Sequence, residues 1–343
     1  MGFGVVSLLN AVFRRMFTSA GLRPSSATVD ADDTTIHFWA HQSLLQPPSS
    51  SEQQQPPRPV VVLIHGFGPD PTWQWAAQAG PLSRHFDLVV PTLLFFGASA
   101  TRSPARSDAF QAAALAALLT GGGHLPGLAT GAGGERTVHV VGTSYGGLVA
   151  YHLARELEAG GGGAVRVGKV ALCDSDACKG AEDDAALAAR TGVAEVTELL
   201  APADTRALRR LMAVCAHRPI KYVPECLLRD MLRRYFADKR EDKIALIKGI
   251  TTGEGFQLPP LPQTINRDLD RSQEVLIIWG EFDQIFPVEK AHKMKEKLGE
   301  KTTVKVIPNA GHLPQQEDPK LFNQILLDFL LHPSTSNGSA AAK

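Results

Sequence analysis

Short runs of apolar, largely β-branched residues recur along the chain with little polar alternation: Pro59 to Ile64, Leu88 to Val90, Thr137 to Val141, Lys169 to Cys173, Glu274 to Trp279 and Thr303 to Ile307. A strand with one face in water alternates apolar and polar residues, so a run that is apolar throughout needs cover on both sides. Between the runs lie stretches with helical character, notably Asp108 to Leu119, Gly147 to Glu158, Val288 to Leu298 and Pro319 to Leu331. Buried strands alternating with helices predict an α/β fold, a parallel sheet with helices on both faces.

The pattern breaks in recognisable places. Residues 42–59 are rich in Pro, Gln and Ser, an exposed loop between an early strand at Thr35 to Ala40 and the first strong core strand. Gly121 to Gly134 and Gly160 to Gly163 read as surface loops, and no P-loop lysine follows their glycines. From Cys178 to about Asp270 helices follow one another without a buried strand. The expected organisation is an amphipathic helix in 1–21, a core from 22–177 and 271–332, a helical cap in 178–270 and a disordered tail in 333–343.

Lysine plus arginine and aspartate plus glutamate are balanced at 35 each over 343 residues. A chain without a basic footprint is not expected to bind nucleic acid. Cys173, Cys178, Cys215 and Cys226 form no C-x-x-C pair and have no histidine at zinc-finger spacing, so free thiols in a reducing, cytoplasmic compartment are expected and no metal site is indicated. Phe3 to Thr18 has no acidic residue. On a helix Ser7, Asn10, Arg14 and Thr18 share one face, while Val5, Leu8, Leu9, Val12, Phe13 and Met16 fill the other. The segment is too short to span a bilayer, lacks a secretory cleavage site, and has Val6 where myristoylation requires Ser or Thr. Two readings stay open: an interfacial membrane anchor or lid element, and a helix packed on the domain surface.

The chemistry-bearing motif is Gly142-Thr143-Ser144-Tyr145-Gly146, directly after the strand Thr137 to Val141 and before a helix. A G-x-S-x-G turn there pushes the serine hydroxyl into a cleft, its glycines letting neighbouring backbone approach. Serine needs an imidazole to take its proton and a carboxylate to orient that imidazole. Asp283 follows the strand Glu274 to Trp279 and His312 follows the last strand, giving the chain order Ser, Asp, His. Glu281, Asp174 and Asp176 are rival acids. An oxyanion formed in acyl transfer needs two backbone N–H donors. Tyr145 supplies one, and Phe67 of His65-Gly66-Phe67-Gly68 the other, with the His65 side chain bracing that loop.

Together His65-Gly66-Phe67-Gly68, Gly142-Thr143-Ser144-Tyr145-Gly146-Gly147, Gly280-Glu281-Phe282-Asp283-Gln284 and Ala310-Gly311-His312 resemble the α/β-hydrolase superfamily. Val90 to Ser99 and Leu276 to Glu281 make the chain similar, more narrowly, to plant monoacylglycerol-lipase-like and epoxide-hydrolase-like proteins. The resemblance runs from about residue 22 to 332 and implies a mostly parallel eight-stranded sheet, a helical cap over an acyl pocket, and no cofactor. Epoxide hydrolases carry an aspartate nucleophile, so Ser144 points to ester hydrolysis of a small-molecule, lipid-like substrate. Open beside it stand C–C bond hydrolysis, acyl transfer to another alcohol, and a hormone-like receptor on the same fold.

Overall fold

A run such as Val60-Val61-Val62-Leu63-Ile64 can bury every side chain only if successive residues enter different layers, because strand side chains alternate sides. In the computed structural model, which describes residues 4–47, 57–121, 123–128, 135–160, 165–250 and 274–332, all five are buried. Val60, Val62 and Ile64 join one apolar cluster and Val61 and Leu63 another, on the opposite face of the sheet.

The sheet has eight strands: β1 (Leu22–Thr28), β2 (Thr35–His41), β3 (Val60–Ile64), β4 (Asp87–Pro91), β5 (Arg136–Thr143), β6 (Val165–Cys173), β7 (Glu274–Gly280) and β8 (Thr302–Ile307), in the order β1-β2-β4-β3-β5-β6-β7-β8. From β4 to β8 neighbours are parallel, while β2 pairs antiparallel with both β1 and β4. This is the mostly parallel α/β sheet expected. One cluster holds α3 (Asp108–Thr120), α4 (Tyr145–Ala159) and α10 (Glu289–Leu298) on its face; the other holds α2 (Pro71–Ser83) and α11 (Pro319–Leu331). Asp70 and Ser107 cap α2 and α3, accepting from the N–H of Thr72 and Phe110.

Two elements were not legible in the sequence. Strand β1 is mostly exposed and carries Pro24, which an edge strand tolerates, so it lacks the apolar run of its neighbours. Helix α2 contains Gly80 and Pro81, which interrupt a helical pattern.

Between β6 and β7 the chain forms α5 (Ala181–Thr191), α6 (Val196–Leu200), α7 (Thr205–Cys215), α8 (Glu225–Met231) and α9 (Arg240–Lys248). They enclose a third apolar cluster, with Leu187, Leu199, Leu208, Leu228, Phe236 and Ile247, into which Ile285 of the core inserts. The rest of the expected cap, from residue 251, and the tail 333–343 lie outside the described residues.

Helix α1 (Val5–Ser19) packs against α2 and α8, but not by the expected face. Val6 and Phe17 are buried, Phe13 meets the Trp73 ring edge-on at 5.1 Å, and Phe17 meets Trp39 at 5.5 Å. Asn10, expected on the polar face, turns inward: its Oδ1 accepts from Trp73 Nε1 and from the Tyr235 hydroxyl at 2.5 Å. Ser7 follows it, accepting from Arg234 Nη2 at 2.8 Å. Two donors that packing would otherwise leave without a partner fix this orientation. Val5, Leu8, Val12 and Met16 stay 56%, 64%, 46% and 40% exposed. Among the described residues no helix is long and apolar enough to cross a membrane.

At the amino-terminal edge of the sheet Arg136 and Asp87 form a buried ion pair, Nη2 to Oδ2 2.6 Å, and Arg136 also donates to the Arg58 carbonyl. Arg136→Ala would leave Asp87 without its nearest counter-charge in an apolar setting. We expect it to lower the free energy of unfolding by about 3 kcal/mol, measured by urea denaturation at pH 7.

Candidate active site

Strand β5 ends at Thr143 and α4 begins at Tyr145, leaving Ser144 as the single residue of the turn, with φ 54° and ψ −126°. A non-glycine residue avoids this region unless its surroundings impose it. Two hydrogen bonds help: the Ser144 N–H donates to the Cys173 carbonyl at 2.8 Å, and the Gly147 N–H to the Ser144 carbonyl at 2.9 Å. Close packing completes the constraint. A Cβ on Gly146 would lie 2.4 Å from the His65 carbonyl oxygen and 2.5 Å from that of Ile64.

Loops at the same edge of the sheet supply the other two groups. His312, after β8, places Nε2 2.9 Å from Ser144 Oγ and Nδ1 2.8 Å from Asp283 Oδ2. Asp283, after β7, accepts at Oδ1 from the N–H of Ile285 (2.8 Å) and Phe286 (3.0 Å). Asp283 and His312 are buried and Ser144 is half-buried. The imidazole can therefore take a proton from Ser144 while Asp283 holds Nδ1–H. None of the rival acids is hydrogen-bonded to His312 among the described residues. Glu281 accepts from the Asn309 N–H, Asp176 from Lys290 and the Cys178 N–H, and Asp174 from the Gly280 N–H.

The loop after β3 lies directly over the serine, with an ideal Cβ on Gly66 only 2.9 Å from Ser144 Cβ. The Phe67 ring stands edge-on to Tyr145 at 4.9 Å and to Phe96 at 5.3 Å. Neither the Phe67 nor the Tyr145 N–H has a hydrogen-bond partner among the described residues. His65 braces this loop, its Nδ1 donating to the Gly66 carbonyl at 2.8 Å and its Nε2 accepting from the Leu93 N–H at 3.0 Å. These partners fix a neutral tautomer.

Three further side chains shape the site. Gln74 of α2 accepts from the Gly66 N–H at 2.8 Å and donates to the carbonyls of Gly66 and Pro69. Gln315 donates to Thr143 Oγ1 at 3.4 Å. Glu317 accepts from the Gly311 N–H at 2.7 Å and from the His217 N–H of the cap at 2.8 Å, and the His217 ring stacks on Phe282 at 4.2 Å. None belongs to a motif; the only signal was polar residues beside the motifs. Asp174, Asp283 and His312 present ligand atoms within 4.8 Å of one another. A cation there would displace the hydrogen bonds of His312. All four cysteines are free thiols.

Residues 61–325 match the alpha/beta hydrolase family. The chain belongs to this family. The dihydrolipoyllysine-residue acetyltransferase component of an acetoin cleaving system from Cupriavidus necator is 29% identical over 78% of the chain, and the match spans 62% of that relative's own length. Among solved structures, a bacterial membrane phospholipase A superposes with a TM-score of 0.67 at 22% identity, covering 96% of this chain and 92% of its own. A 2-hydroxy-6-oxo-6-phenylhexa-2,4-dienoate hydrolase from Rhodococcus superposes at 0.64 and 19%, covering 90% and 98%. These likenesses establish the alpha/beta hydrolase fold, and the chemistry of this member rests on its own residues.

Burial pushes the His65 imidazole down to about 4 from 6.5. The unfolded chain thus binds a proton at a pH where the folded one does not, so stability falls as pH drops through 6.5 and levels off only below 4. Between pH 7 and pH 5 this histidine should account for about 2 kcal/mol of lost stability. We expect His65→Asn to reduce the pH 7 to pH 5 loss by that amount in paired urea titrations.

Proposed function

We propose that this alpha/beta hydrolase cleaves carboxylic esters, with Ser144 as nucleophile, His312 as general base, Asp283 as the orienting acid, and the N–H groups of Phe67 and Tyr145 as oxyanion donors. The observation that carries the reading is the hydrogen-bond chain from Asp283 through His312 to Ser144 Oγ, 2.8 and 2.9 Å, ending on a serine held at positive φ. Ser144 Oγ bonds to the ester carbonyl carbon as its proton passes to His312 Nε2. Collapse of the tetrahedral adduct breaks the bond to the alkoxy group, which leaves with that proton. Water, deprotonated by the same imidazole, then releases the acid.

Phe286 stands edge-on to the His312 ring at 5.5 Å, and Phe67, in the loop over Ser144, packs on Phe96 and Tyr145; this aromatic surface supports an apolar acyl chain and a lipid-like ester such as a monoacylglycerol. The cap cluster, meeting the core at Ile285, supports a role for the insertion in shaping that pocket. The exposed stripe Val5, Leu8, Val12 and Met16 lies on a helix with exposed Arg14 and Arg15 and no acid, which supports peripheral contact with an anionic lipid surface.

Ser144→Ala should abolish labelling by a fluorophosphonate probe, and His312→Ala should lower kcat on p-nitrophenyl esters by at least about 10^4-fold. Turnover that rises with acyl length supports the lipid-like substrate. A folded wild type that neither labels nor turns over overturns the esterase reading and leaves a binding protein. For membrane contact, the wild type should sediment with phosphatidylcholine vesicles containing phosphatidylserine, and Leu8→Glu with Val12→Glu should remain in the supernatant with stability changed by less than about 0.5 kcal/mol per site. Equal sedimentation of both proteins sinks this contact.

A further inference from the structure

Asp174 directly follows β6 and is fully buried at the edge where Ser144, Asp283 and His312 converge. One of its oxygens, Oδ1, accepts from the Gly280 N–H at 2.8 Å, while Oδ2 is buried without a hydrogen-bond partner among the described residues. One oxygen of each of the two carboxyl groups and a ring nitrogen of His312 lie within 4.8 Å of one another.

Two carboxylates this close, both shielded from water, do not both ionise. The number of donors decides which keeps the charge. Among the described residues Asp283 accepts from the N–H groups of Ile285 and Phe286 and from His312 Nδ1, whereas Asp174 accepts only from Gly280. Every donor on Asp283 stabilises its anion. A proton on Asp174 Oδ2 gives the otherwise unpartnered oxygen a role, since as a hydroxyl it can donate to the neighbouring Asp283 carboxylate.

We infer that Asp174 is a positioning residue of this site: a neutral carboxylic acid that directs its proton toward Asp283 and, by gripping Gly280, fixes the loop that carries Asp283 toward His312. This rests on the proposed roles of Asp283 and His312. Burial and the charge of Asp283 both push the Asp174 carboxyl well above the usual carboxylate range. Glu317 acts in the same direction, and Cys173, also buried, stays a neutral thiol beside it. The placement resembles in kind the paired carboxyl groups that share one proton in acid-base enzymes, except that here the two have unequal partners.

Asp174→Asn retains an acceptor for Gly280 and a donor toward Asp283, so it copies the protonated acid. We expect its kcat/KM to stay within about threefold of wild type and the acidic limb of its pH profile to move by less than about 0.3 units. Asp174→Ala removes both contacts and should lower kcat by about 10-fold or more, with an unchanged fluorophosphonate stoichiometry and a slower labelling rate. An acidic limb shifted downward by a unit or so in Asp174→Asn would mean that a negative charge had been removed, which overturns the inference. An Asp174→Ala enzyme with wild-type kcat overturns it as well. One readout is independent of catalysis: at pH 7 the infrared difference spectrum of wild type minus Asp174→Asn should contain the C=O stretch of a protonated carboxyl group. Its absence refutes the neutral acid even if the protein proves not to be an esterase, and its presence in an inactive protein separates the failure of the esterase reading from that of this one.

Discussion

Ser144 sits in a backbone conformation that costs about 1 to 3 kcal/mol, and much of the surrounding structure serves to hold it there. Strand β5 arrives paired on both sides, to β3 and to β6, α4 leaves packed on the sheet, and Gly146 lets the Ile64 and His65 carbonyls close in behind. The result is a hydroxyl held at the mouth of the cleft by the fold itself. The two loops that meet it descend from β7 and β8, whose parallel register with β6 sets their carboxyl ends at the same edge.

The electrostatics are divided between the two edges of the sheet. At the amino-terminal edge Arg136 and Asp87 neutralise one another in a dry setting. At the carboxyl edge Asp283 is held by N–H donors, with no lysine or arginine among its hydrogen-bond partners in the described residues, and it meets the imidazole directly. His65 remains a neutral brace under the Phe67 loop because burial disfavours its charged form.

Much of this was legible in the sequence for a physical reason. The strands β5 and β7 are apolar on both faces, so their positions show without any tertiary knowledge, and Ser144 and Asp283 follow them; His312 follows β8, an edge strand that is partly exposed rather than covered on both sides as its apolar run suggested. Gln74, Gln315 and Glu317 were not legible, since no motif marks them: Gln74 folds back from α2 onto the loop after β3, Gln315 reaches Thr143 across the sheet edge, and Glu317 ties Gly311 to His217. Asp174 was visible as a rival acid, but its place beside Asp283 depends on the pairing of β6 with β7. The apolar face of α1 could be drawn from its spacing. That Asn10 would turn inward depended on Trp73 and Tyr235, which no local pattern relates to it.

Glu317 joins parts of the molecule that are otherwise separate. One oxygen holds the residue before His312 and the other holds His217 of the cap, whose ring lies on Phe282, the residue before Asp283. The insertion is therefore fastened beside both loops that address the serine. A shift of the insertion must either break the bond from His217 or draw the Gly311 amide, and with it the seat of the His312 ring, along with it.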